Sequence, residues 1–242
     1  MFFHAWLVWA LARLGDFADG RRHALEALDV AASADQPLTL AVSHYSLGVL
    51  TLFQLDLPSA IAALETSVNL CRRWGLRSWF PNMASHLGFA YARSGRAAHG
   101  IELLREAIGQ ISDPSDTSHE YAMFAEACLL AGRPDEAREH AEHALTLART
   151  HQERGNEAWA LWVVGEVATR AVPDGASPLT SYHRQALTLA AELEMQPLVA
   201  QCYASLARVF TATGQEAAAS EAHAAAEALF CVLGMPQAQI PH

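Results

Sequence analysis

The chain has 242 residues, which is long enough to bury a sizeable core, and 52% of them are hydrophobic whereas only 17% are charged. Its net charge of -10 argues against nucleic acid as the main partner, because affinity for a phosphate backbone comes mainly from clustered Lys and Arg. Ala and Leu dominate and almost no segment alternates as a strand does, so the composition predicts an all-α protein.

The N-terminal segment 1–14, MFFHAWLVWALARL, superficially resembles a secretion signal. It lacks a basic region before the apolar run, and that run is too short to span a bilayer. Its register also matches the repeat described next. We therefore expect it to be the first helix of a cytoplasmic protein.

A repeat of about 40 residues runs along the chain. Its anchor position is Val8, Gly48, Gly88, Ala125, Gly165 and Ala207, with separations of 40, 40, 37, 40 and 42 residues. A second small-residue column is Gly20, Ala60, Gly100, Ala137 and Ala219, and a third is Ala27, Ser67, Ala107, Ala144, Ala186 and Ala226. Three columns in one register predict six antiparallel helix pairs, since a single pair cannot bury its own apolar faces.

Turn residues punctuate each repeat. Gly15, Gly95, Gly132 and Gly214 separate a first helix from a second, as glycine at a helix C-terminus commonly does. In the fifth repeat this turn expands to VPDGASP, residues 172–178, which we expect to be the most mobile loop. The predicted repeats cover residues 1–36, 37–77, 78–114, 115–152, 153–195 and 196–234, followed by a short irregular tail, 235–242.

Domain organisation follows from the spacing. No polar linker interrupts the repeat, so we expect one solenoid domain over residues 1–242. The alternative is two separate helical bundles whose periodicity is coincidental.

The four cysteines, Cys71, Cys128, Cys202 and Cys231, are far apart and form no C-x-x-C pair. Each lies within a segment whose apolar residues recur at helical spacing. We therefore expect reduced core residues, as is usual in the cytoplasm, and no disulfide or metal role.

The repeat resembles the tetratricopeptide repeat (TPR). The matching residues are Leu47-Gly48, Leu87-Gly88-x-x-Tyr91 and Leu206-Ala207-x-x-Phe210. The resemblance implies a right-handed α-α superhelix, that is, a TPR-like solenoid. The period near 40 departs from the usual 34 residues and is typical of a longer-helix variety in bacterial signalling proteins.

Longer segments are similar to the C-terminal TPR region of bacterial proteins that join a class III adenylate or guanylate cyclase to an ATPase. These segments are LCRRWG (70–75), ERGNEAWAL (153–161), YHRQAL (182–187) and PLVAQC (197–202). The resemblance implies a sensory or partner-binding region of a bacterial signalling protein, whose effector lies in another polypeptide or in a missing N-terminal portion. Similar solenoids occur in transcription activators of the maltose-regulator type.

First helices line the concave side of such an array, and fixed offsets within each repeat predict which side chains lie there. The predicted partner-binding residues are Trp9, Arg13, Tyr45, Phe89, Arg93, His119, Glu126, Trp159, Trp162, Glu166, Arg170 and Arg208. We expect Trp159 and Trp162 to anchor a peptide, while Arg93, Arg170 or Arg208 pairs with carboxylates. The alternative is that these side chains pack between adjacent repeats.

Catalytic and cofactor signals are weak. The chain has neither G-x-x-x-x-G-K-[ST] nor G-x-G-x-x-G, and nothing resembles a nucleophile elbow. His140 and His143 lie three apart in EHAEH, but the zinc motif H-E-x-x-H is not matched. We predict no enzyme activity, no cofactor and no metal site.

The sequence favours a non-catalytic protein- or peptide-binding scaffold, with no nucleic acid or membrane as partner. One alternative is a sensor in which the groove closes around a metabolite. Another is an oligomerisation scaffold that self-associates through apolar ends, Phe2/Trp6/Trp9 at one end and Leu229/Phe230/Leu233 at the other.

Overall fold

A computed structural model describes residues 2–34, 36–111, 117–171 and 179–236. Within these ranges the chain forms twelve α-helices and no strand. They are α1 (Phe2–Leu14), α2 (Phe17–Ala34), α3 (Pro37–Phe53), α4 (Leu57–Trp74), α5 (Phe80–Arg93), α6 (Ala97–Ile108), α7 (Ser118–Leu130), α8 (Pro134–Thr150), α9 (Arg154–Ala171), α10 (Leu179–Glu192), α11 (Gln196–Ala212) and α12 (Glu216–Leu233). The predicted all-α fold of six helix pairs is confirmed, whereas the expanded turn 172–178 and most of the predicted tail lie outside the described residues.

The chain divides into two compact units, Met1–Ser112 and Asp113–His242. Unit 1 contains α1 to α6 and unit 2 contains α7 to α12. In each unit, consecutive helices pack against one another, and the first helices of neighbouring pairs also touch. The single-domain organisation of residues 1–242 stays a prediction.

The repeat is visible in the backbone of the turns. Within five helix pairs, one residue after the first helix has a positive φ: Gly15, Leu55, Gly95, Gly132 and Gly214. In each of these turns the next amide donates to a carbonyl five residues earlier, as in Asp16 N to Leu11 O (3.0 Å) and Gln215 N to Phe210 O (2.9 Å). This is the Schellman motif, which satisfies carbonyls that a helix end leaves unpaired.

The small-residue columns lie where paired helices approach most closely. A methyl group on Gly88 would lie 2.8 Å from the carbonyl oxygen of Gly100 on the partner helix, so neither helix has room for a larger residue there. The third column, from Ala27 to Ala226, is buried in all six repeats. These positions set the helix spacing and belong to the core.

The cysteines are divided between core and surface. Cys71, Cys128 and Cys202 are buried, as predicted, whereas Cys231 is exposed, so the prediction of a core position is wrong for Cys231. Cys231 lies on α12, the last of the described helices.

Among the described helices, none combines the length and the apolar character that a bilayer crossing needs.

Candidate functional site

Four of the predicted partner-binding residues lie along one side of α9. Trp159, Trp162, Glu166 and Arg170 follow one another at spacings of three, four and four residues, which places them on one helix face. We call this the α9 face. Its members make contacts in two directions, towards the first helix of the preceding pair and towards that of the following pair.

The outer two members contact α7. The indole of Trp159 meets the imidazole of His119 edge to face, with ring centroids 4.9 Å apart. Arg170 Nη1 donates a hydrogen bond to the carbonyl oxygen of Leu129 (2.9 Å), near the C-terminal end of α7. A cation at this position suits the negative end of the helix dipole.

The inner two members contact α11. Trp162 Nε1 donates to Ser205 Oγ (3.0 Å), and the indole is only 2% exposed. Arg208 Nη2 donates to both carboxylate oxygens of Glu166, at 2.7 Å each, and also reaches Ser205 Oγ at 3.2 Å. The α9 face therefore connects three consecutive first helices of unit 2.

Glu166 is the centre of this network. Its side chain is 5% exposed, and Oε1 lies 3.1 Å from Nε2 of His183, a fully buried residue of α10. Burial opposes ionisation of the carboxyl, but the hydrogen bond with His183 and the charge of Arg208 outweigh it and lower the pKa of Glu166 to about 2. Glu166 is therefore ionised at neutral pH.

Arg208 joins the buried network to solvent. Its side chain is 35% exposed although Glu166 holds one of its terminal nitrogens. A guanidinium carries five N–H donors in a planar fork, and the contacts described above use only Nη2. Arg208 therefore presents an oriented cationic edge on the first-helix side of unit 2.

In unit 1, the predicted residues form small aromatic and cationic contacts. The Arg13 guanidinium lies over the Trp9 ring (4.8 Å to the centroid), and that of Arg93 lies over Phe89 (5.1 Å). Such stacking places both cations beside aromatic faces.

Tyr45 belongs to a second polar group, in which only the imidazole of His86 is buried. Its hydroxyl donates to Asn82 Oδ1 (2.7 Å) and lies 3.3 Å from Nδ1 of His86. His86 Nδ1 is 2.9 Å from the Asn82 carbonyl oxygen. Burial lowers the pKa of His86 to about 4, so this imidazole is neutral at physiological pH.

The exposure of the twelve predicted residues is uneven. Arg170 is exposed, and Trp9, Tyr45, Arg93 and Arg208 are half-buried. The other seven are buried: Arg13, Phe89, His119, Glu126, Trp159, Trp162 and Glu166. Both α9 tryptophans are buried because each packs against a different neighbouring helix, an arrangement that helical spacing alone does not reveal. Partner binding by this set stays a prediction.

Sequence reasoning missed Ser205, His183 and His86. Ser205 lies three residues before Arg208 on α11, so helical spacing could have placed it on the same face. His183 gives no comparable signal, because it reaches Glu166 from a second helix, past Gly165.

The EHAEH motif makes aromatic contacts. The imidazole of His140 stacks on Phe124 at 4.3 Å between centroids, and that of His143 meets Tyr121 edge to face at 4.4 Å. These two histidines thus lie against α7.

Comparisons with known proteins identify the fold. No family model and no curated protein sequence matches the chain. Among solved structures, BtubC (BKLC) from P. vanneervenii superposes with a TM-score of 0.59 at 15% identity, covering 90% of this chain and 92% of that one. Aspartyl phosphate phosphatase F from Bacillus subtilis gives 0.58 at 13% identity, covering 96% and 74%. The chain therefore has the fold of TPR-like helical repeat proteins.

Proposed function

We propose that the protein is a non-catalytic scaffold that binds a protein or peptide partner on the first-helix side of unit 2. The observation that carries this proposal is Arg208, a half-exposed guanidinium held in place by a buried carboxylate. The TPR-like fold supports it, because such repeats present extended surfaces of first helices. The buried polar residues beneath Arg208 serve to orient it.

Preorganisation makes Arg208 a suitable anchor. Ordering a free arginine on binding costs side-chain entropy, whereas Glu166 and Ser205 already restrict this one. Glu166 also compensates part of its charge, so the remaining N–H donors suit a single carboxylate or backbone carbonyl of a peptide.

A peptide-display selection tests the proposal. Immobilised full-length protein should enrich peptides that carry a carboxylate, and Arg208→Gln should weaken the binding of enriched peptides about tenfold or more. The matched control is Arg138→Gln, which removes an exposed arginine from the second helix α8. Equal binding by wild type and Arg208→Gln, or no enrichment above bare resin, would contradict the assignment.

The effector is proposed from the resemblance alone. The segments similar to cyclase–ATPase signalling proteins support a partner that contains a cyclase or an ATPase, in a bacterial cytoplasm. The purified effector encoded next to this chain should bind wild type and lose affinity for Arg208→Gln. Absence of a cyclase or ATPase from the neighbouring coding sequence would remove the support for this partner.

Self-association is a second candidate function. On α1, Phe3 is 76% exposed and Trp6 is 63% exposed, and on α12 Val232 is 84% exposed. Of the apolar ends predicted from the sequence, Trp6 is thus exposed, whereas Trp9 is half-buried and Phe230 is buried. Large apolar side chains at such exposure are typical of surfaces that are covered in an assembly. Analytical ultracentrifugation over a concentration series should detect a dimer or polymer that Trp6→Ser weakens, whereas a monomer at all concentrations would exclude this function.

The metabolite-sensor alternative stays a prediction. A thermal-shift screen tests it, because a ligand at a hundredfold excess over its dissociation constant stabilises a protein by about 2.7 kcal/mol.

A further inference from the structure

Two imidazoles and a carboxylate converge in the first repeat of unit 1. His4 on α1 and His23 and Glu26 on α2 each place one ligand atom within 4.8 Å of the other two. The His4 and His23 rings are tilted against each other, with centroids 5.4 Å apart. His23 and Glu26 are three residues apart and therefore lie on one face of α2, the face towards His4.

Two nitrogen atoms in this cluster are buried without a hydrogen-bond partner, Nδ1 of His4 and Nδ1 of His23. Nδ1 of His23 lies 3.4 Å from Glu26 Oε2, but the two are not aligned for a hydrogen bond. In native proteins the great majority of buried polar groups have a partner. A cation that accepts lone pairs from two imidazoles would satisfy both nitrogens at once.

We infer that His4, His23 and Glu26 form a binding site for a divalent transition metal of the zinc class. Imidazole nitrogen with carboxylate oxygen is a donor set that suits Zn²⁺, Cu²⁺ and Ni²⁺ better than Mg²⁺ or Ca²⁺. Three protein ligands leave a fourth position of a tetrahedral ion for water or for a group from a partner.

The spacing of the ligand atoms fits a tetrahedral ion. Bonds of about 2.0–2.1 Å place the ligand atoms of zinc roughly 3.3 Å apart. The His23 Nδ1 to Glu26 Oε2 separation of 3.4 Å already has this value. One ligand atom from each of the three residues lies within 4.8 Å of the other two, so a side-chain adjustment of about 1.5 Å brings them to tetrahedral spacing. Glu26 is half exposed and has room to make it.

Arg22 competes with the metal. Its Nη2 lies 3.3 Å from His23 Nε2, and its guanidinium pairs with Asp19 (3.0 Å) and Glu26 (3.3 Å). A metal on Nδ1 leaves a proton on Nε2, which then cannot accept from Arg22. Metal binding therefore moves Arg22 away from His23, whereas Asp19 and Oε1 of Glu26 can remain as its partners.

Isothermal titration of the full-length, chelator-treated protein with zinc chloride tests the site. We expect one equivalent of zinc per chain, weakened about tenfold or more by His4→Gln and by His23→Gln. Arg22→Gln should bind zinc more tightly than wild type, because it removes the competitor. His151→Gln is the matched control, since it removes an exposed histidine from another repeat and should leave binding unchanged.

Cobalt substitution distinguishes this site from another group of possible ligands, Cys128, Glu136 and His140 in unit 2. Cobalt on His4, His23 and Glu26 should show no thiolate charge-transfer band. Circular dichroism confirms that each variant is folded. Absence of zinc binding, binding unaffected by both His→Gln variants, or a thiolate band abolished by Cys128→Ser would overturn the inference.

Discussion

The imidazole of His183 occupies the space beside Gly165: a methyl group on Gly165 would lie 2.7 Å from His183 Nε2, the atom that faces Glu166. Glycine at this anchor position thus lets a second helix bring a histidine to the buried carboxylate. The contact between Glu166 on α9 and His183 on α10 therefore depends on the absence of a side chain at Gly165.

Gly165→Ala should therefore destabilise the protein by about 1–3 kcal/mol, the usual cost of overpacking a core. The matched background is His183→Ala, in which the clashing ring is absent. In that background Gly165→Ala should leave the free energy of unfolding unchanged or raise it, because alanine is a better helix former than glycine by about 1 kcal/mol. Urea denaturation of the four proteins gives the coupling, and additive effects would contradict the contact.

Acid should weaken unit 2 through Glu166. Its pKa is about 2 in the folded protein against an ordinary value of 4.5, so the folded state holds the ionised form more strongly. The free energy of unfolding should be unaffected by this group above pH 4.5 and should fall as the pH drops towards 2, by up to about 3 kcal/mol. Glu166→Gln should show a shallower dependence in that window, and identical slopes would refute the assignment.

In unit 1, His86 should make stability depend on pH in a higher pH range than Glu166 does. Burial lowers its pKa from 6.5 to about 4, so an unfolded chain binds a proton that the folded chain resists. Its contribution to the free energy of unfolding is complete above pH 6.5 and declines as the pH falls towards 4. Denaturation at a series of pH values should show a loss of stability between pH 6.5 and 4 that the His86→Gln variant lacks. A loss confined to pH values below 4 would contradict this role.

Backbone strain in the turns can be tested with a matched pair. Gln152 has a positive φ of 57°, whereas Gly132 has a φ of 71°, and a methyl group on Gly132 would meet nothing within 4 Å. Gln152→Gly should stabilise by up to about 1 kcal/mol, and Gly132→Ala should destabilise by about the same amount. Thermal melts compare the two, and a destabilised Gln152→Gly would mean that its side chain compensates the strain.

The fold was accessible from sequence because its determinants are local and repeated. Glycine at turns such as Gly95 and Gly132, and small residues such as Ala107, follow from helix geometry alone. Leu55 shows the limit, since it adopts the same left-handed turn without being glycine.

The candidate site was only partly accessible. Helical spacing placed Trp159, Trp162 and Glu166 on one face, but it could not give their burial. That burial depends on the packing of α7 and α11 against α9, which bring His119 to Trp159 and Ser205 to Trp162. The Glu166–His183 pair is harder still, because it joins two helices through a space that only Gly165 leaves open.

The α9 face has a dynamic consequence. Because Trp159 and Arg170 bind one neighbouring helix while Trp162 and Glu166 bind the other, neither neighbour can detach without releasing half of this face. The amides of α7, α9 and α11 should then exchange with deuterium at a common rate, as one cooperative opening. A partner seated on Arg208 would slow exchange in all three helices, including those it does not touch.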